Sequence, residues 1–151
     1  MSIAIEYLFN ADADTGELAK AINSVLGTSL APIEDNTNTF ACELFGMELV
    51  FRADHGYVND RDADFESYRF VIGNKTWGSD SLRSIQLETM FMVAFVLHQR
   101  LGIAQGMLVY EVQRVLGRYE EREGEWLEST SGTPVTMPEH LLELHARLDS
   151  E

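Results

Sequence analysis

The run MFMVAFVL, Met90 to Leu97, limits the folds open to this chain more than any other segment. It lies in a stretch predicted as a helix from about Ser81 to Leu101. The turn residues Asn74, Gly78, Ser79 and Asp80 precede that helix and Gly102 closes it. Its first turns are amphipathic. From Met90 onward apolar residues occupy every side, and such a helix must be covered on more than one side. The run is eight residues long, whereas a membrane span needs about twenty. The helix is therefore expected at the centre of a globular domain, packed between other elements.

The segments around it supply those elements. SIAIEYLF alternates around Ile3, Ile5 and Tyr7 and predicts a strand. Asp14 and Glu17 have the spacing of an N-cap and its third helical position. The helix that follows aligns Leu18, Ile22, Val25 and Leu26 and stops at Gly27. Thr39–Phe45 and Met47–Ala53 flank Gly46 and predict a hairpin. A third strand is expected from FESYRFVIG, with Glu66, Tyr68, Phe70 and Ile72 toward the core; Glu66 then either lies at the strand's edge or is where that register fails. GMLVYEV predicts one more strand, and QRVLGRYEERE fits strand, loop or short helix. Residues 123–137 predict a surface connection. Thr136 and Glu139 then have capping-box spacing before a last helix aligned on Leu141, Leu144 and Leu148. The fold class expected is α+β. It would be a two-layer α/β sandwich, one domain over residues 1–151, with a mostly antiparallel sheet of about five strands, two main helices and a C-terminal helix.

Charge and cysteine content narrow the function. Formal net charge is −14, which argues against nucleic acid and anionic membranes as partners, since both demand clustered Lys and Arg. Residues 1–66 hold 13 acids against 3 bases and residues 67–151 hold 12 against 8, so the field is strongest in the N-terminal half. Cys42 is the only cysteine. With no internal disulfide to form and no basic leader before an apolar segment, a reducing, cytoplasmic setting is expected.

No strong catalytic or cofactor motif is present. Phosphate-binding glycine loops, dinucleotide fingerprints and nucleophile elbows are lacking, and no cofactor is expected. His55, His98, His140 and His145 are scattered; the last two are five apart, which does not present two ligands on one helix face. Asp60, Asp62 and Asp64 have the spacing that opens a calcium loop. Such a loop needs Gly at its sixth position and Glu at its twelfth, and these are Phe65 and Val71. No metal is therefore expected.

The acid-rich segment from Asp54 to Glu66 remains the strongest functional candidate. Asp54, Asp60, Asp62, Asp64 and Glu66, interleaved with Tyr57 and Phe65, are what a protein uses to cover a basic, concave surface: charges steer the encounter and rings supply contact area. The plainer reading is a solvated loop entering a strand. Trp77 is a further candidate anchor, and Trp126 either invites a partner or tethers the C-terminal segment.

A small acidic chain of this pattern resembles the immunity proteins with which bacteria neutralise their own polymorphic or contact-dependent toxins. LGIAQGMLVYEVQRVLGRYEER after a long apolar helix is similar to the later part of some of them, and the likeness spans about residues 1–122. The resemblance implies stoichiometric binding to one toxin domain and no enzymatic activity; it assigns no individual contact residues. Two other readings stand beside it. One is a small-molecule-binding or enzymatic α/β domain with a pocket between the long helix and the sheet. The other is a homodimer that buries one face of the Met90–Leu97 helix.

Overall fold

Strand β1 (Ser2–Phe9) is the middle strand of an antiparallel sheet in the computed structural model, which describes residues 2–33, 36–61, 63–77 and 82–150. Helix α1 (Thr15–Leu26) follows. Next come β2 (Ala31–Ile33), β3 (Asn36–Leu44), β4 (Met47–Ala53), a 3-10 turn at Phe65–Ser67 and β5 (Phe70–Trp77). Helix α2 (Arg83–Leu101) leads to β6 (Gln105–Tyr110), β7 (Arg114–Arg122), β8 (Glu125–Glu128), β9 (Thr133–Pro134) and α3 (Glu139–Asp149). The strand order is β2-β3-β4-β5-β1-β6-β7-β8-β9. β5 and β6 both run antiparallel to β1 and flank it, so α2 crosses directly over the central strand.

That crossing explains the all-round apolar helix. Leu87, Met90, Phe91, Val93, Ala94 and Leu97 are buried in one core with Ile5, Tyr7 and Phe9 of β1, Leu18 and Ile22 of α1, and Leu144 and Leu148 of α3. All three helices pack on this face. Residues pointing the other way, such as Leu8, Val71, Met107 and Val109, join a second, smaller core under the loop that precedes β5. At about 25 cal/mol per Å² of apolar surface, both faces contribute to stability, and neither is left as an open apolar sheet. Space on the helix face is tight: a Cβ at Gly106 would lie 2.1 Å from the Tyr7 hydroxyl, so only glycine lets the tyrosine ring cross that strand.

Local signals govern the helix ends. Asp14 accepts the Glu17 amide at 2.9 Å, and Gly27 and Gly102 close α1 and α2 with φ of 69° and 66°. The Thr136–Glu139 pair behaves differently from a capping box. The helix starts after Pro138 without a side-chain cap, and the Thr136 hydroxyl instead donates to the Glu139 carboxylate at 3.3 Å.

The sheet has nine described strands where about five were expected. β2 is three exposed residues including Pro32, too short to show alternation. β7 is obscured by a register shift opposite Leu108 and Val109, which breaks its two-residue period. β8 and β9 extend the sheet past β7 within residues 123–137, with β9 at the edge. The third strand begins at Phe70 and not at Phe65, because Phe65–Ser67 forms a 3-10 turn that directs Phe65 and Tyr68 to the opposite sheet face from Phe70 and Ile72. Among the described residues, no helix is long and apolar enough to cross a membrane.

Candidate functional site

The segment between β4 and β5 leaves the sheet at Asp54, turns back across the second face, and rejoins at Phe70. Its entry and exit are joined by the Asp54 amide, which donates to the Arg69 carbonyl at 3.1 Å. Asn10 holds the exit from the other side: its amide group donates to the Ser67 carbonyl at 2.7 Å, and its oxygen accepts the Arg69 amide at 2.8 Å. His55 bridges the strip. Its Nδ1 accepts the Tyr57 amide at 2.9 Å, which leaves Nε2 to donate to the Tyr68 carbonyl at 2.7 Å.

Within this frame the loop divides by chemistry. Phe65 and Tyr68 are buried against Leu8, Val71, Met107 and Val109. Tyr57 is half-buried, edge-on to Phe65 at 5.7 Å between ring centres. The rings expected to meet a partner therefore face the sheet. Asp54, Asp60 and Glu66 point to solvent, and Asp64 is partly exposed. Asp60 and Ala63 exchange two backbone hydrogen bonds of 3.0 and 2.7 Å. Asn59 and Glu66 bind reciprocally, side chain to amide, at 3.0 and 2.8 Å. Asp64 pairs with Arg118 of β7. Partial burial raises the Asp64 carboxyl, but hydrogen bonds from Arg118 and the backbone outweigh it and hold the group below the usual range. Asp54 lies 3.8 Å from Arg69 in a largely exposed pair, which is worth little in stability and leaves its charge available.

Beneath the loop sits a carboxylate the sequence did not single out. Glu6 of β1 points to the second face and is 6% exposed. Gly73 of β5 makes room for it, since a Cβ there would lie 2.5 Å from Glu6 Cγ. Tyr57 donates its hydroxyl to both Glu6 oxygens at 3.0 Å, and Arg52 donates to the Tyr57 oxygen at 2.5 Å with its guanidinium over the ring. Burial raises the Glu6 pKa, only partly opposed by the Tyr57 hydrogen bond and the charges of Arg52 and Lys75. Burial likewise pushes Tyr57 up to about 12. The group acts as a latch that fixes Tyr57 to the sheet. Its period-two position in SIAIEYLF was the available signal, but an alternating Glu reads as solvent-facing unless the covering loop is known.

The remaining candidates separate. Asp62 lies outside the described residues. Trp77 ends β5 opposite Ser2, and its side chain also lies outside them. Trp126 is buried, stacked on Tyr119 at 4.7 Å and on His98 at 5.0 Å, so it tethers the C-terminal segment.

One cluster could in principle hold a metal: donor atoms of Glu128, His140 and Glu143 lie within 4.8 Å of one another. The chain supplies its own cation there. Arg147 reaches both oxygens of Glu128 at 2.8 and 3.0 Å, and Tyr119 shares a 2.7 Å hydrogen bond with His140 Nε2. This network joins α3 to β7 and β8. Comparison with protein-family models, characterised proteins and solved structures returned no match.

Proposed function

We propose that this chain is a non-enzymatic binding protein of the immunity type. It acts in the cytoplasm by one-to-one binding of a basic bacterial toxin domain at the face carrying residues 54–69. The observation that supports this reading is the division of that loop, with rings packed inward on the sheet and Asp54, Asp60, Asp64 and Glu66 carried on its outer side. Hydrogen bonds from Asn10, Asn59 and His55 order the loop before any partner arrives, which lowers the entropy cost of association. Fixed carboxylates on a chain of net charge −14 attract a cationic surface over a distance and orient it. Contact area then comes from the partner's side chains lying between the carboxylates, because the loop's own rings are committed to the sheet.

The test is affinity capture with the tagged chain from its native cells, followed by mass spectrometry of what is retained. The expected result is one small basic domain in equimolar amount, released by high salt. Retention of only neutral or acidic proteins, unaffected by salt, contradicts the reading.

A further inference from the structure

The layer between α2 and the sheet is filled, since Leu87, Met90, Phe91, Ala94 and Leu97 are fully buried. Open space lies instead beside α1, in a groove of about 630 Å³ between that helix and the β2–β3 edge of the sheet. Gly16 and Ala19 line it from the helix, and their lack of bulk keeps it open. Leu30, Pro32 and Phe40 line the other wall. The volume is that of a site for a small organic molecule.

The polar groups of the groove gather at the start of α1. Thr15 is 5% exposed and its hydroxyl has no hydrogen-bond partner, yet that oxygen is not sealed in the core: what remains open of it faces the groove. The cap on α1 serves other groups. Asp14 accepts the Glu17 amide with its side chain at 2.9 Å and the Leu18 amide with its carbonyl at 2.9 Å, so the amides of Thr15 and Gly16 have no acceptor within the helix. Lys20, one turn beyond Gly16, is exposed and pairs with no described carboxylate. Arg69 lines the same groove, with half its side chain exposed and Asp54 at 3.8 Å. Against these two cations the lining offers one carboxylate, Asp14, already engaged by the Glu17 amide. In a chain of net charge −14 this balance sets the groove apart; the recess on the other side of Arg69 has Asp54 and Glu66 in its lining.

We infer that this groove binds a small organic carboxylate with an unbranched apolar body. The carboxylate accepts hydrogen bonds from the Thr15 hydroxyl and the free amides of the first helical turn, where the helix dipole favours negative charge. Lys20 and Arg69 neutralise it from the rim. The hydrocarbon lies along Ala19, Leu30 and Phe40 toward Asn23, which is about 12 Å from Thr15 along the helix axis. Asn23 fixes that wall in advance, since its side chain accepts the Leu30 amide at 2.8 Å and donates to the Leu30 carbonyl at 3.0 Å. An inorganic anion leaves the apolar wall unused, and an alcohol leaves the cations unpaired. The groove is on the helix side of the sheet, so the inference does not depend on the proposed toxin partner.

Titration of the isotopically labelled full chain with sodium octanoate, followed through amide chemical shifts, tests this directly, with inorganic phosphate and octanol as companion probes. Octanoate shifts the amides of Thr15, Gly16 and Lys20 along one saturable curve, half-complete at about 1 mM or below. Phosphate and octanol bind there at least about tenfold more weakly. Lys20→Gln and Thr15→Val each weaken octanoate about fivefold, while amide shifts elsewhere show the fold intact. The inference is overturned by octanoate shifts confined to the outer flank of α2 around Met92 and Val96. It is equally overturned by no saturable shift at Thr15 or Gly16 up to about 20 mM octanoate, by phosphate or octanol binding as tightly, or by full affinity in both variants.

Discussion

Tyr57 and Glu6, 51 residues apart in sequence, meet with the tyrosine hydroxyl 3.0 Å from both carboxylate oxygens. This contact fastens an acidic loop to the central strand by means of a buried acid whose own ionisation is disfavoured. The folded pKa of Glu6 lies above its unfolded value near 4.5. The folded state therefore binds more protons in the window between the two values, and this group's contribution falls as pH rises through it. Glu6→Gln keeps an acceptor for Tyr57 and removes the burial cost of the charge. Thermal unfolding should show a higher midpoint than wild type at pH 7 and a difference that shrinks as pH falls toward 4.5.

Phe65 anchors the same loop through packing. Phe65→Ala removes a ring that is 2% exposed from the second core, at an expected cost of about 3 kcal/mol. Hydrogen exchange should localise the damage: amides of residues 54–69 lose protection first, while those of β3 and α1 on the other face keep theirs. Uniform loss across the molecule would show that the loop is not a separately packed layer.

The α3 anchor depends on Arg147. Its removal strands Glu128, whose side chain is 10% exposed. Arg147→Met should therefore destabilise by about 2–3 kcal/mol, discounted from the cost of a fully buried pair because Arg147 is itself partly exposed. Arg147→Met combined with Glu128→Gln should recover part of that loss in urea unfolding. His140 adds a pH signature. Burial lowers its pKa below 6.5 despite the nearby Glu128 and Glu143. The unfolded state then binds more protons between the folded value and 6.5, so stability from this site is complete above 6.5 and declines as pH falls through the folded pKa.

The β3–β4 turn carries avoidable strain. Phe45→Asn places a residue suited to positive φ before Gly46, and chemical denaturation should show a gain of about 0.5–1 kcal/mol.

Much of this architecture was legible in the residues. Gly27 and Gly102 marked the helix ends, Asp14 marked a cap, and the apolar run from Met90 marked the central helix, because each is a local signal that tertiary contacts leave intact. The second face was not legible. Tyr68 read as sharing the core face with Phe70 and Ile72, whereas the 3-10 turn breaks that alternation and sends it to the sheet's other side, beside Phe65 and Val71. Glu6 carried no signal of its burial within the strand, and only the loop arriving from residue 57 covers it. The Glu128, His140 and Arg147 network also joins α3 to β8, a strand of four residues and too short to announce itself. The carboxylates at 54, 60, 64 and 66 were visible from the start; what the fold adds is that their platform is tied down at both ends.

Stopped-flow association with the captured basic domain, over a range of ionic strength, tests whether the loop's carboxylates steer that domain. The comparison is wild type against Asp54→Asn with Asp60→Asn, the two changes that leave the Arg118 and Asn59 contacts in place. The variant should show a slower association rate, a shallower dependence on salt, and a nearly unchanged dissociation rate. An association rate and salt dependence equal to those of the wild type would contradict that steering.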